Sequence, residues 1–259
     1  MNGRAQQNSR RPEILYGINT VREAIGLRPM EYVIIAQGHH SPRVEEIVRA
    51  CREHGVAVRL SPRQALDRMA AGGHHQNVAA VCSAKGYDDL ESVASEAQYA
   101  LLVVLDGVED PANLGAVIRT AVAAGATGAV IPERRAAGLS AAVARTASGA
   151  LEHLKIARTG NLTRALLDLK KKNVWIYGFA ASAETSYLEL DYCAPCALVF
   201  GGEGRGLHRL VAEACDRLAR VPLYGPVESL NISAASAVVL YEAARQRELR
   251  RVMDNRGAG

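Results

Sequence analysis

Short apolar runs alternate with amphipathic stretches along most of the chain. The first half has strand-like runs at 32–35, 56–60 and 77–82, separated by helical stretches at about 42–54 and 62–70. The second half has further strand-like runs, most of them separated by helical patterns, at 101–105, 128–131, 154–157, 174–177, 197–200 and 218–221. Continuous apolar runs are typical of a parallel sheet covered on both faces. The pattern therefore predicts an α/β protein whose second half is a parallel-sheet domain.

The same pattern divides the chain into segments. Residues 13–84 are predicted to form a compact α/β unit, and a more acidic stretch at 85–98, with one or two helical turns, links it to a larger domain at 99–252. A long helix at about 232–250 closes that domain. The remaining residues, 1–12 and 253–259, are expected to be tails; the polar start is interpreted as disordered rather than as a transit peptide.

Composition limits the classes of protein that fit. A chain of 259 residues that is 49% hydrophobic can bury its own core. No run approaches the roughly 18 consecutive apolar residues of a membrane helix, and the start lacks the apolar core of a signal peptide. We therefore expect a soluble, cytoplasmic protein with no membrane partner. The net charge of +4 is small, so binding to nucleic acid would need positive charge concentrated locally.

The cysteines and histidines do not predict a metal site. The five cysteines are irregularly spaced, and Cys193 and Cys196 form a CxxC that leads into a strand instead of opening a helix. The histidine pairs at 39–40 and 74–75 lack a carboxylate or cysteine at ligand spacing and are interpreted as solvated loop residues near a polyanion. We expect structural cysteines and no bound metal.

The first segment with candidate chemistry is a strand, a proline-containing turn and a helix at 105–125. Its helix has a predicted buried stripe: Leu114, Val117, Ile118, Ala121 and Val122. Asn113 stands where an N-cap would, and Gly125 stands where a glycine often follows a helix. Arg119 points away from the stripe in a helix of otherwise small and apolar residues. It either pairs with phosphate or another subunit, or is a solvated surface arginine.

The second segment is a glycine-rich loop at 199–207. Four glycines in six residues leave backbone N–H groups bare and allow a ligand to approach closely. The loop is not a Walker A loop, and it comes too late for a dinucleotide fingerprint, which argues against a nucleotide-binding dehydrogenase. Glu203 within it is either a catalytic or binding group or a charge at a helix N-terminus.

The third segment is a rigid proline-glycine loop at 221–233 that leads into the final helix. Ser229, Asn231 and Ser233 are each suited to cap that helix. We expect one of these three side chains to be a cap.

Together the three segments closely resemble the motifs of the SpoU family of RNA ribose methyltransferases, within the class of knotted SPOUT methyltransferases. Residues 110–119 (DPANLGAVIR) are similar to the first motif, residues 200–206 (FGGEGRG) to the second, and residues 221–233 to the third. The first half, from residue 14 (ILYGINTVREA), resembles the ribosomal-protein-L30e-like substrate-binding domain of the 23S rRNA (guanosine-2'-O-)-methyltransferase branch. The resemblance covers nearly the whole chain.

The resemblance implies a homodimer with a knotted C-terminal domain that uses S-adenosylmethionine, and no metal, to methylate the ribose 2'-hydroxyl of RNA, expected to be 23S rRNA guanosine. The implied catalytic residues are Asn113, Arg119, Glu203, Ser229 and Asn231. The implied cofactor-binding residues are Gly201, Val221 and Leu230. A tRNA ribose methyltransferase of the same family and a non-catalytic RNA-binding relative are the alternatives. The L30e-like domain favours rRNA, and the complete set of polar residues favours catalysis.

Two expectations concern how RNA is handled. A guanidinium is a very reluctant base, so Arg119 is expected to hold phosphate and stabilise a developing alkoxide instead of removing a proton. The first half is expected to bind RNA through arginines that contact phosphate: Arg22, Arg43, Arg49, Arg52, Arg59 and Arg63.

Overall fold

In the computed structural model, residues 12–95 and 97–257 are described, and they fold into strands and helices that alternate along the chain. The strands are β1 (Pro12–Tyr16), β2 (Met30–Ala36), β3 (Ala57–Ser61), β4 (Val78–Ser83), β5 (Leu101–Asp106), β6 (Gly128–Pro132), β7 (Lys155–Thr159), β8 (Trp175–Phe179), β9 (Thr185–Ser186), β10 (Cys196–Gly201) and β11 (Arg217–Arg220). The helices are α1 (Ile18–Ala24), α2 (Pro42–Glu53), α3 (Arg63–Met69), α4 (Leu90–Val93), α5 (Pro111–Ala123), α6 (Ala141–Ala147), α7 (Leu162–Lys170), α8 (Arg209–Glu213) and α9 (Ile232–Gly257).

The chain forms two compact units. The first consists of residues 12–86 together with Leu139–Glu152, and the second of Tyr87–Gly138 with residues 153–257. This division differs from the contiguous one expected from the sequence, because 139–152 joins the first unit and most of the expected linker joins the second. Within that linker, Asp89 caps α4, and Asp88 pairs with Ala157 of β7.

The first unit is built on a mixed sheet with the order β1-β4-β2-β3. The three strands and two helices predicted for this half are present as β2, β3, β4, α2 and α3. β1 and α1 were not predicted from the periodicity, and Pro12, expected in the tail, begins β1. Residues 1–11 of the expected tail lie outside the described residues.

A buried ion cluster attaches the 139–152 segment to the first unit. The guanidinium of Arg28 donates to both carboxylate oxygens of Glu152, at 2.6 and 2.8 Å, and its Nη1 donates to Glu13 at 2.8 Å. Arg28 and Glu152 have side chains only 5% and 3% exposed. Burial raises the pKa of Glu13, although Arg28 acts in the opposite direction. Since unpaired buried charges are costly, this cluster gives a physical reason why the segment packs here.

One of the paired histidines contradicts its interpretation as a solvated loop residue. His75 is only 3% exposed, and its Nε2 lies 2.8 Å from Oδ1 of Asp67. Its Nδ1 accepts a hydrogen bond from the backbone N–H of Asn77 at 3.0 Å. Both ring nitrogens are therefore used to hold the turn before β4, and the buried ring is structural.

The second unit is built on a parallel sheet with the order β7-β6-β5-β10-β8-β11-β9, which confirms the predicted parallel α/β fold. The interior strand β5 is buried along its whole length, as a strand covered on both faces should be. After β5 the chain adds β6 and β7 on one side of it, and then β8 to β11 on the other side. The junction of β5 and β10 is therefore a topological switch point, where ligands of open α/β sheets bind.

Helix α5 begins three residues earlier than expected. Asp110 is its N-cap, accepting a hydrogen bond from the backbone N–H of Ala112 at 3.0 Å, and Pro111 occupies the first helical turn. The prediction of Asn113 as N-cap is therefore wrong: Asn113 lies inside the helix and is buried. The predicted apolar stripe is buried except for Val122, which is partly buried. Gly125 has a φ of +80° just after the helix, as predicted.

Helix α9 is longer than expected and carries an exposed apolar face. It continues to Gly257, so the part of the expected tail at 253–257 is helical, and residues 258–259 lie outside the described range. One side of α9 packs against α5. Apolar side chains at i, i+3, i+11, i+14 and i+15 remain exposed: Val238, Tyr241, Leu249, Val252 and Met253. Among the described helices, none is long and apolar enough to cross a membrane.

Candidate active site

The candidate site lies beyond the carboxyl ends of β5 and β10. Asp106, the last residue of β5, is paired in register with Gly201, the last residue of β10. The first motif follows β5 and the second follows β10, so the sheet places these motifs side by side. This position matches the switch point of the fold.

Asp106 anchors the glycine-rich loop. Its carboxylate is buried and accepts two hydrogen bonds from His208, one from the backbone N–H at 2.7 Å and one from ring Nδ1 at 3.0 Å. An ionised carboxylate can only accept, so Nδ1 carries a proton in that state. The backbone N–H of Gly202 also donates to the carbonyl of Asp106 at 2.7 Å. Both ends of the loop are thereby fastened to β5.

Close backbone contacts at two glycines and positive φ angles at two others disfavour side chains in this loop. A β-carbon at Gly201 would collide with the backbone carbonyl of Gly206, and one at Gly202 would collide with the carbonyl oxygen of Gly107. Gly204 and Gly206 have φ angles of +79° and +64°, which side chains disfavour. A side chain at Gly201 or Gly202 would therefore require the neighbouring backbone to shift, and one at Gly204 or Gly206 would be strained.

A hydrogen-bonded cluster of three polar side chains joins the three motifs. Oε1 of Glu203 accepts from Nδ2 of Asn113 at 2.8 Å and from Nδ2 of Asn231 at 2.9 Å. Nδ2 of Asn231 also donates to Oδ1 of Asn113 at 3.1 Å. Since the glutamate is 90 residues from the first asparagine and 28 from the second, only the tertiary fold assembles this cluster.

Asn231 has a second role at the start of α9. Its Oδ1 accepts from the backbone N–H and the hydroxyl of Ser233, at 2.8 and 2.6 Å. Among the three capping candidates, Asn231 is therefore the one that caps the helix. Asn231 therefore both caps α9 and belongs to the polar cluster, so its interpretation as a helix cap and its interpretation as a site residue are compatible.

Two adjoining cavities flank the cluster. The larger, of about 790 Å³, is lined by the predicted cofactor residues Gly201, Val221 and Leu230, and by Ser229. The smaller, of about 520 Å³, is lined by Asn113 and by Arg135 among others. Glu203 lines both. A ligand in one cavity and a ligand in the other would therefore meet at the polar cluster.

Arg119 is the predicted site residue that the fold does not bring to the cavities. It is exposed on α5, and it forms no hydrogen bond or ion pair with any described residue. It also lines neither of the two described cavities. Arg119 follows Asn113 by six residues, which is about 9 Å along the helix axis. Its predicted role stays a prediction.

Three residues near the site were missed in the sequence. Asp106 closes an apolar strand, His208 follows the glycine loop, and Arg135 lies in the loop after β6 with a φ of +56°. A charged residue at the carboxyl end of a parallel strand is a signal that would have found Asp106. No local pattern marks the other two.

The described residues contain no group of three or more histidine, cysteine or acidic side chains arranged to hold a metal ion. All five cysteines are free thiols. Burial raises the pKa of Cys82 and Cys196 to about 11 and that of Cys215 to about 12. Thiols of this kind are packing residues and poor nucleophiles at neutral pH.

Comparison with known proteins agrees with this arrangement. The chain is 43% identical over 241 residues to the 23S rRNA (guanosine-2'-O-)-methyltransferase RlmB of Xylella fastidiosa, covering 91% of this chain and 97% of that protein. It is 38% identical to the putative TrmH family tRNA/rRNA methyltransferase YacO of Bacillus subtilis, covering 92% and 98%. The crystal structure of an AdoMet-bound rRNA methyltransferase from Sinorhizobium meliloti matches with a TM-score of 0.76 and 26% identity, covering 91% and 87%.

Family-level matches cover both halves of the chain. Residues 14–88 match the RNA 2'-O ribose methyltransferase substrate binding family. Residues 100–241, more than half of the chain, match the SpoU rRNA Methylase family. These matches confirm the resemblance found in the three motifs: the chain belongs to the SpoU rRNA methylase family.

Proposed function

We propose that this protein transfers a methyl group from S-adenosylmethionine to the 2'-hydroxyl of a guanosine ribose in 23S rRNA. The observation that carries the proposal is the cluster of Glu203, Asn113 and Asn231 between two adjoining cavities. Such an arrangement can bring two ligands together at one polar point, which is the main task in a transfer between them. The printed activity of the Xylella fastidiosa relative supports the choice of substrate.

The larger cavity fits S-adenosylmethionine. Its volume of about 790 Å³ lies within the range of small-molecule sites, and apolar side chains line it next to the glycine loop. Gly201, Val221 and Leu230 would hold the cofactor, through bare backbone groups and apolar contacts. When bound, the cofactor supplies a methyl group already activated by the positive charge on sulfur. No metal is needed for this chemistry.

The chain's own residues then orient the hydroxyl, whose proton passes to water as its oxygen takes the methyl group. Glu203 fixes the amide of Asn113 through a 2.8 Å hydrogen bond, and this amide borders the smaller cavity. Ser229 borders the larger cavity and supplies a further polar group. Arg119 holds RNA phosphate and stabilises charge that develops on the ribose oxygen, because a guanidinium donates well and accepts a proton poorly.

The active form is a homodimer in this proposal. The exposed apolar face of α9 includes Tyr241, 56% exposed, and Met253, 66% exposed. Arg245 on the same side is already paired with Glu242 at 2.7 Å, so its charge is partly neutralised. An apolar helix face of this kind is suited to burial against a second subunit. Arg119, exposed on the neighbouring helix α5, would then act from one subunit on the site of the other.

The first unit is the RNA-binding part. All six predicted phosphate-contacting arginines are exposed. Arg59 lies on β3 at the edge of the sheet, with its guanidinium 3.7 Å from the ring centre of Tyr32. An arginine stacked on an aromatic ring presents a flat, cationic surface to which RNA bases and phosphates bind. This unit sets the choice of RNA and contributes no catalytic group.

Action on ribosomal RNA also implies a cytoplasmic location, and family membership implies the trefoil knot.

The proposal is tested by methyl transfer from labelled S-adenosylmethionine to transcripts of 23S rRNA domains and of tRNA. A ribose 2'-O-methyl group protects the adjacent phosphodiester from alkaline cleavage, so the modified nucleotide is mapped directly. We expect one protected guanosine in a 23S rRNA fragment and none in tRNA. Transfer to tRNA alone would favour the tRNA methyltransferase alternative. RNA binding without any transfer would favour a non-catalytic relative.

A further inference from the structure

Two arginines line the smaller cavity, and one of them, Arg205, also lines the larger one. Arg135 lies in the loop after β6 and lines this cavity but not the larger one. Its guanidinium has no hydrogen bond or ion pair with the residues that the structure describes. Four acidic residues also line the cavity. Three of them are engaged, Asp106 with His208, Asp110 with the start of α5 and Glu203 with the amides, while Glu109 forms no hydrogen bond or ion pair with a described residue.

The backbone holds Arg135 in place. Glu133 is tied to β7 by a 2.9 Å hydrogen bond from its N–H to the carbonyl of Thr159, and the N–H of Ala137 donates to the carbonyl of Val108 at 2.8 Å. Between these anchors Arg135 has a φ of +56°, a conformation that a long side chain rarely adopts. Unfavourable backbone conformations of this kind persist where the surroundings fix them, and they concentrate at functional sites.

The division of the two cavities indicates what Arg135 binds. The cofactor residues Gly201, Val221 and Leu230 line only the larger cavity, so the target nucleotide is left with the smaller one, which has a volume of about 520 Å³. The ribose must lie at the shared boundary near Glu203 for methyl transfer to occur. The nucleotide's phosphate then extends into the part of the cavity that Arg135 lines. A planar guanidinium is the side chain best suited to a phosphate.

We propose that Arg135 binds a backbone phosphate of the target nucleotide and so positions its ribose at the polar cluster. This inference rests on the proposed function, because it takes the ligand of the smaller cavity to be RNA. Arg135 is a substrate-binding residue here and takes no part in proton transfer. Arg134 provides a matched control, since it is also exposed and has no partner among the described residues, but lines neither cavity.

The experiment compares Arg135→Asn with Arg134→Asn in the full chain. Asparagine tolerates positive φ, so the loop keeps its backbone conformation in the Arg135 variant. We expect Arg135→Asn to lower kcat/KM for an rRNA fragment by about ten- to hundredfold, as for the loss of a charge-assisted hydrogen bond. The slope of RNA affinity against salt should fall by about 0.7 to 0.9, as for one lost phosphate contact. Arg134→Asn should change neither by more than about twofold. Affinity for S-adenosylmethionine, measured by calorimetry, should stay unchanged in both variants.

Replacing single phosphates by uncharged methylphosphonates shows which phosphate Arg135 contacts. RNA fragments that carry a single methylphosphonate at each position around the target are tested for binding and for methylation. At one position the wild-type protein should lose as much as Arg135→Asn loses on normal RNA, and the variant should lose nothing more. If the losses from the methylphosphonate and from Arg135→Asn were additive at every position, the proposal would be overturned. It would also be overturned if Arg135→Asn lost affinity for S-adenosylmethionine to a matching extent, because Arg135 would then bind the cofactor's carboxylate. If the wild type binds but never methylates the fragments, the proposed function fails while the phosphate contact is still decided by binding.

Discussion

Replacing Asn113 tests whether the polar cluster is assembled as described. The alanine variant loses one hydrogen bond to the charged Glu203 and one to Asn231. Hydrogen bonds to charged groups contribute about 1.5–3 kcal/mol and neutral ones about 0.5–1.5 kcal/mol. Because Glu203 is exposed to water, the lower ends apply, and we expect a loss of about 2 kcal/mol. That is about twice the cost of a lost helix cap, and it corresponds to a fall in Tm of about 4–8 °C.

The aspartate variant gives the sharper test. Asn113→Asp places a second carboxylate at hydrogen-bond distance from that of Glu203, and the repulsion raises the pKa of the pair in the folded state. A raised folded-state pKa contributes stability that is present at low pH and is lost as pH rises through it. We therefore expect Asn113→Asp to be less stable than Asn113→Ala at pH 7. The difference should shrink below about pH 5, where a proton can be shared.

Asn161 is the matched control. It caps α7, its Oδ1 accepting from the backbone N–H of Arg164 at 2.9 Å. Aspartate caps a helix as well as asparagine does, so Asn161→Asp should leave Tm nearly unchanged from pH 4 to pH 8. Thermal unfolding of all variants across this range, with methyl transfer measured alongside, provides the comparison. If Asn113→Asp and Asn161→Asp behaved alike at every pH, the contact between Asn113 and Glu203 would be refuted.

Three further predictions concern other residues. Arg119→Ala should abolish most methyl transfer while changing unfolding free energy by no more than about 0.5 kcal/mol, and lysine should restore only part of the activity; full activity in the alanine variant would reject its role. Arg28→Met should cost about 3–5 kcal/mol in denaturant unfolding, because two buried carboxylates lose their counter-ion; a loss below 1 kcal/mol would contradict this. Gly201→Ala should prevent cofactor binding in calorimetry because its β-carbon collides with Gly206, whereas Gly86→Ala, with open space around it, should bind normally.

Elements with a strong local pattern of apolar residues could be predicted from the sequence, and elements with a weak pattern could not. The buried strands β5 and β10 are continuous apolar runs, and both were predicted. Strand β1 has one exposed, one buried and three partly buried residues, so no clear alternation marks it. The start of α5 was misplaced although the signal was present: Pro111 favours the first helical turn, which makes Asp110 the expected cap.

Long-range placement is the part that local patterns do not contain. Only tertiary contacts explain why the 139–152 segment packs in the first unit: Glu152 pairs with Arg28, 124 residues away, and Arg145 donates to the hydroxyl of Tyr16, 129 residues away. His75 can be buried because Asp67, eight residues earlier, and the backbone N–H of Asn77 satisfy its two ring nitrogens. Family resemblance named Asn113, Glu203 and Asn231 as site residues, but no spacing rule predicts the contact between Asn113 and Glu203 across 90 residues.

The cluster also explains why stability and catalysis are hard to separate at this site. Asn231 both caps α9 and donates to Glu203, and Glu203 in turn fastens the glycine loop to α5. Any substitution in the cluster therefore moves a helix start or the cofactor loop as well as the polar groups. Arg119 is different, because it contacts none of these groups within one chain, and its loss should leave the fold intact. A variant at Arg119 that keeps its Tm and its cofactor affinity but transfers no methyl group would thus assign the defect to chemistry or to RNA positioning.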